Sequence, residues 1–198
     1  MRHRTKGLKA RLILGAIPAA VALTLLSGCG SDGQLQSGKT AAPVDIDEHL
    51  PQAGLKQLTS ESDLVVRGRV VRAKSGVLIA KDPTAKYTIF TIRVAEVVSG
   101  AKVSSVDVAL LTELSGAPVR PEGRPAVGVG DDAVWLLTKI APEFNRKGYV
   151  LTNQSSLLIV DDDGRVTGGS KSSAVAGEVA HMKTVNEVLR YLRSVAPR

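Results

Sequence analysis

The stretch DLVVRGRVVRAKSG, Asp63 to Gly76, decides the fold. It is rich in valine and ends in Ser-Gly, the composition of a β-strand running into a turn. Leu64, Val66, Gly68 and Val70 share one parity, while Arg67 and Arg69 share the other. Beyond Val71 the charges fall on Arg72 and Lys74, the opposite parity. A one-residue slip of phase inside a strand predicts a β-bulge near Val70 and Val71, and bulges bend strands.

The texture on the C-terminal side is also β. Phe90, Ile92 and Val94 alternate with Thr91 and Arg93, so Tyr87 to Val98 reads as a second strand closed by Ser99-Gly100. Val106, Val108 and Leu110 mark a third, with Asp107 facing out. Ser115 to Gly130 holds Pro118, Pro121, Gly123, Pro125 and Gly128, and reads as an irregular loop. AVWLLTKI, Ala133 to Ile140, is apolar on both parities and predicts the most buried strand. Tyr149 to Thr152 and Leu157 to Val160 follow, and Asp161-Asp162-Asp163-Gly164 turns the chain into a short strand at Arg165 to Thr167.

Helices flank this region. A short one is expected around Leu55 to Ser62. A clearer one ends the chain: Thr184 and Glu187 have capping-box spacing, and Val185, Val188, Leu189, Leu192 and Val195 form one apolar stripe. The expectation is therefore a mainly β domain, a small barrel or sandwich, with a C-terminal amphipathic helix.

The N-terminus has a different character. Arg2, Arg4, Lys6, Lys9 and Arg11 precede Leu12 to Leu26, a mostly apolar, uncharged run interrupted by Gly15, Pro18 and Thr24. A transmembrane helix needs roughly 20 apolar residues to cross about 30 Å of hydrocarbon. The shorter run and its basic start fit a secretory leader. The run ends Leu26-Ser27-Gly28-Cys29, with the only cysteine of the chain in last place. This segment resembles the lipobox of bacterial lipoproteins. The resemblance implies cleavage before Cys29 and a diacylglyceryl thioether on its sulfur, which would anchor the protein in lipid at the outer face of the cell membrane. One acyl chain holds a protein only marginally, whereas two hold it stably.

Three parts follow from this reading: a leader at 1–28, a lipidated tether at 29–44 and one β-rich domain at 45–198. Gly30 to Val44 reads GSDGQLQSGKTAAPV, without apolar periodicity. Fifteen flexible residues span on the order of 20 Å root-mean-square. The leader carries five basic and no acidic residues, so what remains has 21 basic against 19 acidic, a net charge of +2. The high calculated pI thus belongs largely to the leader, and nucleic acid is not an expected partner. With its single cysteine used for anchoring, the domain has no internal disulfide and depends on apolar packing.

Catalytic motifs are sparse. A hydrolase triad needs a nucleophile, a base and an orienting acid, and no Gly-x-Ser-x-Gly elbow is present. His49 follows Asp45, Asp47 and Glu48 but reads as part of a solvated acidic stretch, and His181 as a surface or helix-entry residue. Asp161 to Gly164 resembles a calcium loop, yet Ile159 and Ser170 fall at its first and last ligand positions, so a hairpin turn is expected. GGSKSS, Gly168 to Ser173, lacks the Gly-Lys-Ser/Thr order of a phosphate loop and reads as plain loop. Neither cofactor nor metal is implied.

SDLVVRGRVV, YTIFTIRVAEVVSG and VGVGDDAVWLL together resemble small exported bacterial domains of unknown activity. More loosely, they are similar to netrin-like domains, which include tissue inhibitors of metalloproteinases and have an OB-like barrel. That second resemblance implies an inhibitor, but the cysteines with which those inhibitors fix their fold and grip a metal are missing here. The residues themselves favour a non-catalytic binding or adaptor module, with an envelope-associated enzyme as the alternative. Arg67, Arg69, Arg72 and Lys74 offer an anionic-ligand face, with an exposed strand face solubilised by charge as the plainer alternative. Arg67 and Arg69, roughly 7 Å apart on one strand face, are the pair that would hold an envelope polymer or acidic protein.

The anchor has a direct check. Cys29 should incorporate labelled fatty acid in a bacterial host and Cys29→Ser should not. Unlabelled wild-type protein released from the cell would exclude the lipobox reading.

Overall fold

A computed structural model describes residues 42–44, 52–79, 82–121, 124–142, 144, 146–169 and 173–197. The leader, Cys29, the acidic stretch at 45–48 and His49 lie outside these residues. In chain order the elements are β1 (Ala42–Val44), α1 (Leu55–Glu61), β2 (Leu64–Val77), β3 (Ala85–Ser99), β4 (Ser105–Leu114), β5 (Ala117–Pro121) and β6 (Asp132–Lys139). They continue with β7 (Tyr149–Leu151), β8 (Leu157–Val160), β9 (Val166–Gly168), α2 (Ala174–Ala180) and α3 (Val185–Val195).

Among the described residues the fold is mainly β, with nine strands in one mixed sheet and three helices. The order is β1-β5-β4-β3-β2-β6-β8-β9, and β7 pairs with both β4 and β6. The path β2-β3-β4-β7-β6 therefore returns to its starting strand. Its last link is the parallel pair Val108–Tyr149.

Strand β2 carries the bulge expected from its charge phase. Val70 pairs with Ile92 and Arg72 with Thr91, leaving Val71 out of register. Further shifts lie between Val65 and Val66, Arg67 and Gly68, and Lys74 and Val77. At Gly68 β2 and β3 approach closely. A Cβ there would stand 2.5 Å from the Arg93 carbonyl oxygen and 2.7 Å from the Ile92 side chain. Trp135 Nε1 donates to the Gly68 carbonyl at 3.4 Å.

Two apolar clusters use the two faces of the sheet. Inside the strand circuit, Leu64, Val66, Phe90, Ile92, Val108 and Trp135 pack together. On the opposite face, Val65, Val134, Leu136 and Leu158 are covered by Leu55 and Leu58 of α1, Val175 of α2, and Val188, Leu189 and Leu192 of α3. This two-sided cover explains why Ala133 to Leu137 are all fully buried. Both clusters lie between Ala53 and Leu192, within the compact unit Leu35–Arg198.

The helices follow their capping signals. In α3, Thr184 Oγ1 accepts from Glu187 N and Glu187 Oε2 accepts from Thr184 N, completing the capping box. Helix α1 begins at Gly54, which has no side-chain cap. Glu178 of α2 supplies the missing acceptor to Leu55 N at 2.8 Å.

Three expectations need correction. Ala42–Val44, assigned to the tether, form β1, parallel to β5. The Pro- and Gly-rich segment after Ser115 is not wholly irregular. Ser115 and Gly116 both take positive φ, 51° and 82°, the requirement of a two-residue hairpin turn, and β5 folds back on β4. Finally, GGSKSS is not wholly plain loop: Gly168 ends β9, and Ser173 caps α2, its Oγ accepting from Ala176 N at 3.1 Å.

Truncating a buried leucine to alanine costs about 2–5 kcal/mol. Leu192→Ala should fall in that range by denaturant melt, since its side chain is fully buried between α3 and the sheet. An unchanged midpoint would show that α3 adds no packing energy.

Candidate functional site

The sheet face that carries the helices is apolar only beneath them. Farther along β2 the same face becomes basic. Arg69 pairs in register with Asp132 of β6 on one side and Arg93 of β3 on the other, and Arg93 pairs with Ser105 of β4. Arg69 and Arg93 are exposed, and neither has an ion-pair partner among the described residues. Like charges placed directly opposite on neighbouring strands repel.

Arg67 and Arg69, read from sequence as equivalent, are in different states. Arg67 donates to Asp132 Oδ2 through Nε at 3.1 Å and Nη2 at 2.6 Å. It also stands opposite Glu96, which is ion-paired with Arg193 of α3. Arg67 is thus held in place by a carboxylate, and Arg69 is open to solvent.

The bulge extends the basic face. Arg72 and Lys74 register with Thr91 and Ile89, which share the parity of Arg93. Without the slip at Val71 the two cations would point to the inner face. Arg72 Nη2 reaches Thr91 Oγ1 at 3.4 Å, and Thr91 Oγ1 donates to Asp107 Oδ1 at 2.7 Å. Arg69, Arg72, Lys74 and Arg93 form the unneutralised part of this face. Arg93 is the member missed from sequence, although its alternation with Ile92 and Val94 already turned it outward.

A second cationic feature lies between β6 and β7. An open cleft of about 680 Å³ is lined by Lys139, Ile140, Pro142, Arg146, Lys147, Gly148 and Tyr149. Ile140 N donates to the Gly148 carbonyl at 3.0 Å, joining the two ends of the β6–β7 connection. Lys139 N also donates to Asp63 Oδ2 at 2.8 Å, tying the cleft to the start of β2.

Arg124 is a third cation, of another kind. It is only 7 % exposed, and Nη2 donates to the Leu111 carbonyl at 2.6 Å. Burial, reinforced by neighbouring Arg120, pushes its pKa down to about 10. It belongs to the segment after β5, and its guanidinium caps a β4 carbonyl away from solvent.

The remaining motifs are dispersed. His181 is exposed at the C-cap of α2, and its N–H donates to the Glu178 carbonyl. Asp161 to Gly164 form a hairpin turn, with Asp161 Oδ1 accepting from Arg165 N at 2.8 Å. No group of three or more His, Cys, Asp or Glu side chains suited to a metal ion occurs among the described residues. No known family model matches the chain, and no curated protein aligns with it significantly.

The Arg67–Asp132 pair restrains charge on the basic face. Asp132→Asn should release Arg67 and delay elution from an immobilised polyphosphate column to higher salt. Because the pair is partly exposed, the stability cost should be about 0.2–1 kcal/mol. Earlier elution would show that Asp132 is needed to hold the face in shape.

Proposed function

We propose that this chain is an exported lipoprotein, anchored through Cys29 at the outer face of the cell membrane. Its globular part serves as a non-catalytic binding module for an anionic partner, either an envelope polymer or an acidic protein. The observation that carries this reading is the exposed, unneutralised Arg69–Arg93 pair, facing each other across β2 and β3. Holding two guanidiniums opposite each other costs free energy in the unliganded domain. An anion bridging them removes that cost, and guanidinium suits phosphate and carboxylate through paired donors.

We read the closed strand path as a small OB-like barrel. Support comes from the five-strand circuit and its parallel closure between β4 and β7. OB-folds bind oligonucleotides and oligosaccharides over strand faces and adjoining loops. The near-neutral charge after the leader and the expected export favour an envelope polymer over nucleic acid. The alternatives are an envelope-associated enzyme and a netrin-like inhibitor. The facing arginines favour binding over both, because their chemistry is recognition of negative charge.

Linear polyphosphate is a suitable probe. The domain should bind it with an affinity that falls steeply as salt is raised, because exposed charges are screened beyond about 10 Å at 0.1 M. Arg69→Ser with Arg93→Ser should weaken binding about tenfold at low salt, about 1.4 kcal/mol, and should leave the domain at least as stable, because the repulsion across β2 and β3 is gone. Equal binding by the double variant would overturn the assignment of the face. A turnover by the purified domain that His181→Ala abolishes would replace binding with catalysis.

A further inference from the structure

Strand β2 is paired on both edges for only part of its length. Its register with β6 ends at Arg69–Asp132. The Val70 backbone is then used by the following turn: Val70 N donates to the Asp131 carbonyl and Gly130 N to the Val70 carbonyl, both at 2.9 Å. From Val71 to Val77 one edge of β2 meets β3, and the other meets no strand among the described residues. An open edge presents unpaired N–H and C=O groups and is a template for another extended chain.

Side chains along this edge are selective. Four large hydrophobic side chains are exposed among the described residues, and three of them lie on or beside β2, Val71 next to the Val129 turn and Leu78 at the far end of the strand. Val71 is 39 % exposed on the bulge, Leu78 is 53 % exposed just past the strand, and Val129 is 62 % exposed in the turn that bonds to Val70. Arg69, Arg72 and Lys74 line the same stretch, and Leu64 to Lys81 contains no acidic residue. The carboxylates of the adjoining turn are both engaged, Asp131 with Gly128 N and Asp132 with Arg67.

We propose that the Val71–Val77 edge of β2 receives an extended acidic polypeptide, which adds to the sheet as a further strand. Its backbone would pair with the open edge, its carboxylates would meet Arg72 and Lys74, and an apolar side chain would cover Val71 and Val129. Addition of a strand to a sheet edge takes affinity from main-chain hydrogen bonds and specificity from alternate side chains. A second copy of this chain is disfavoured as occupant, since self-pairing would set Arg72 and Lys74 against their own counterparts. The proposal rests on the anion-binding reading but uses different atoms, the β2 backbone in place of the Arg69–Arg93 pair.

The test uses the unit Leu35–Arg198, which contains both cores, and a synthetic peptide alternating glutamate with valine over eight residues. The peptide should bind saturably and slow amide exchange within 71–77. A central proline, or lysine in place of glutamate, should weaken binding about tenfold or more, because each removes one of the two required complementarities. Arg72→Glu with Lys74→Glu should do the same. Val129→Asp, in the turn outside the strand, provides an independent loss if the double variant folds poorly. Absence of peptide binding, binding indifferent to proline, or self-association of the unit through this edge would overturn the proposal. If polyphosphate still binds through Arg69 and Arg93 while the peptide does not, strand addition fails and the anion-binding reading stands.

Discussion

Everything in this fold depends on β2 pairing with two strands while bending between them. It keeps β3 along most of its length but holds β6 only from Leu64 to Arg69. Gly68 permits the bend. The Arg93 carbonyl and Ile92 side chain occupy the space a Cβ would need, and the Gly68 carbonyl lies within reach of the buried indole. Overpacked core positions commonly lose about 1–3 kcal/mol. Here a side chain would also push β3 away from β2.

The same bend separates the apolar half of the outer face from its basic half. Three helices cover Val65, Val134 and Leu136 and stop short of Arg69. Glu96 marks the boundary, with its carboxylate ion-paired to Arg193 of α3 and Arg67 opposite. Asp132 closes the line on the β6 side. Beyond these carboxylates the arginines are unopposed. The face proposed for binding is therefore the part of the sheet that the helices leave uncovered, where the neighbouring carboxylate of Asp107 is engaged by Thr91.

Local chemistry was legible in the sequence wherever one element carried its own signal. The bulge at Val71 was visible as a slip in charge phase, α3 as a capping box with an apolar stripe, and β6 as an apolar run. Features that need a distant partner were not. Nothing near Arg67 in sequence distinguishes it from Arg69, because the carboxylate that holds it is Asp132, on another strand. Strand β1 is too short for periodicity and exists through its pairing with β5. Helix α2 has only Val175 and Val179 as buried residues, and its Ser173 cap was lost among the serines around it. Arg93 was read as an outward-facing residue, but only the β2–β3 register puts it opposite Arg69.

The placement of the single tryptophan has an optical consequence. Trp135 is fully buried in the cluster inside the strand circuit, and the helical layer lies on the other side of its strand. Its fluorescence therefore reports the solvation of one core and is nearly blind to the other. Far-ultraviolet dichroism responds to the helices as well as the strands. If the helical layer detaches before the strand circuit opens, the two signals will part company, and emission alone would record a protein still folded. Coincident transitions by both probes would instead mark the two clusters as one cooperative unit.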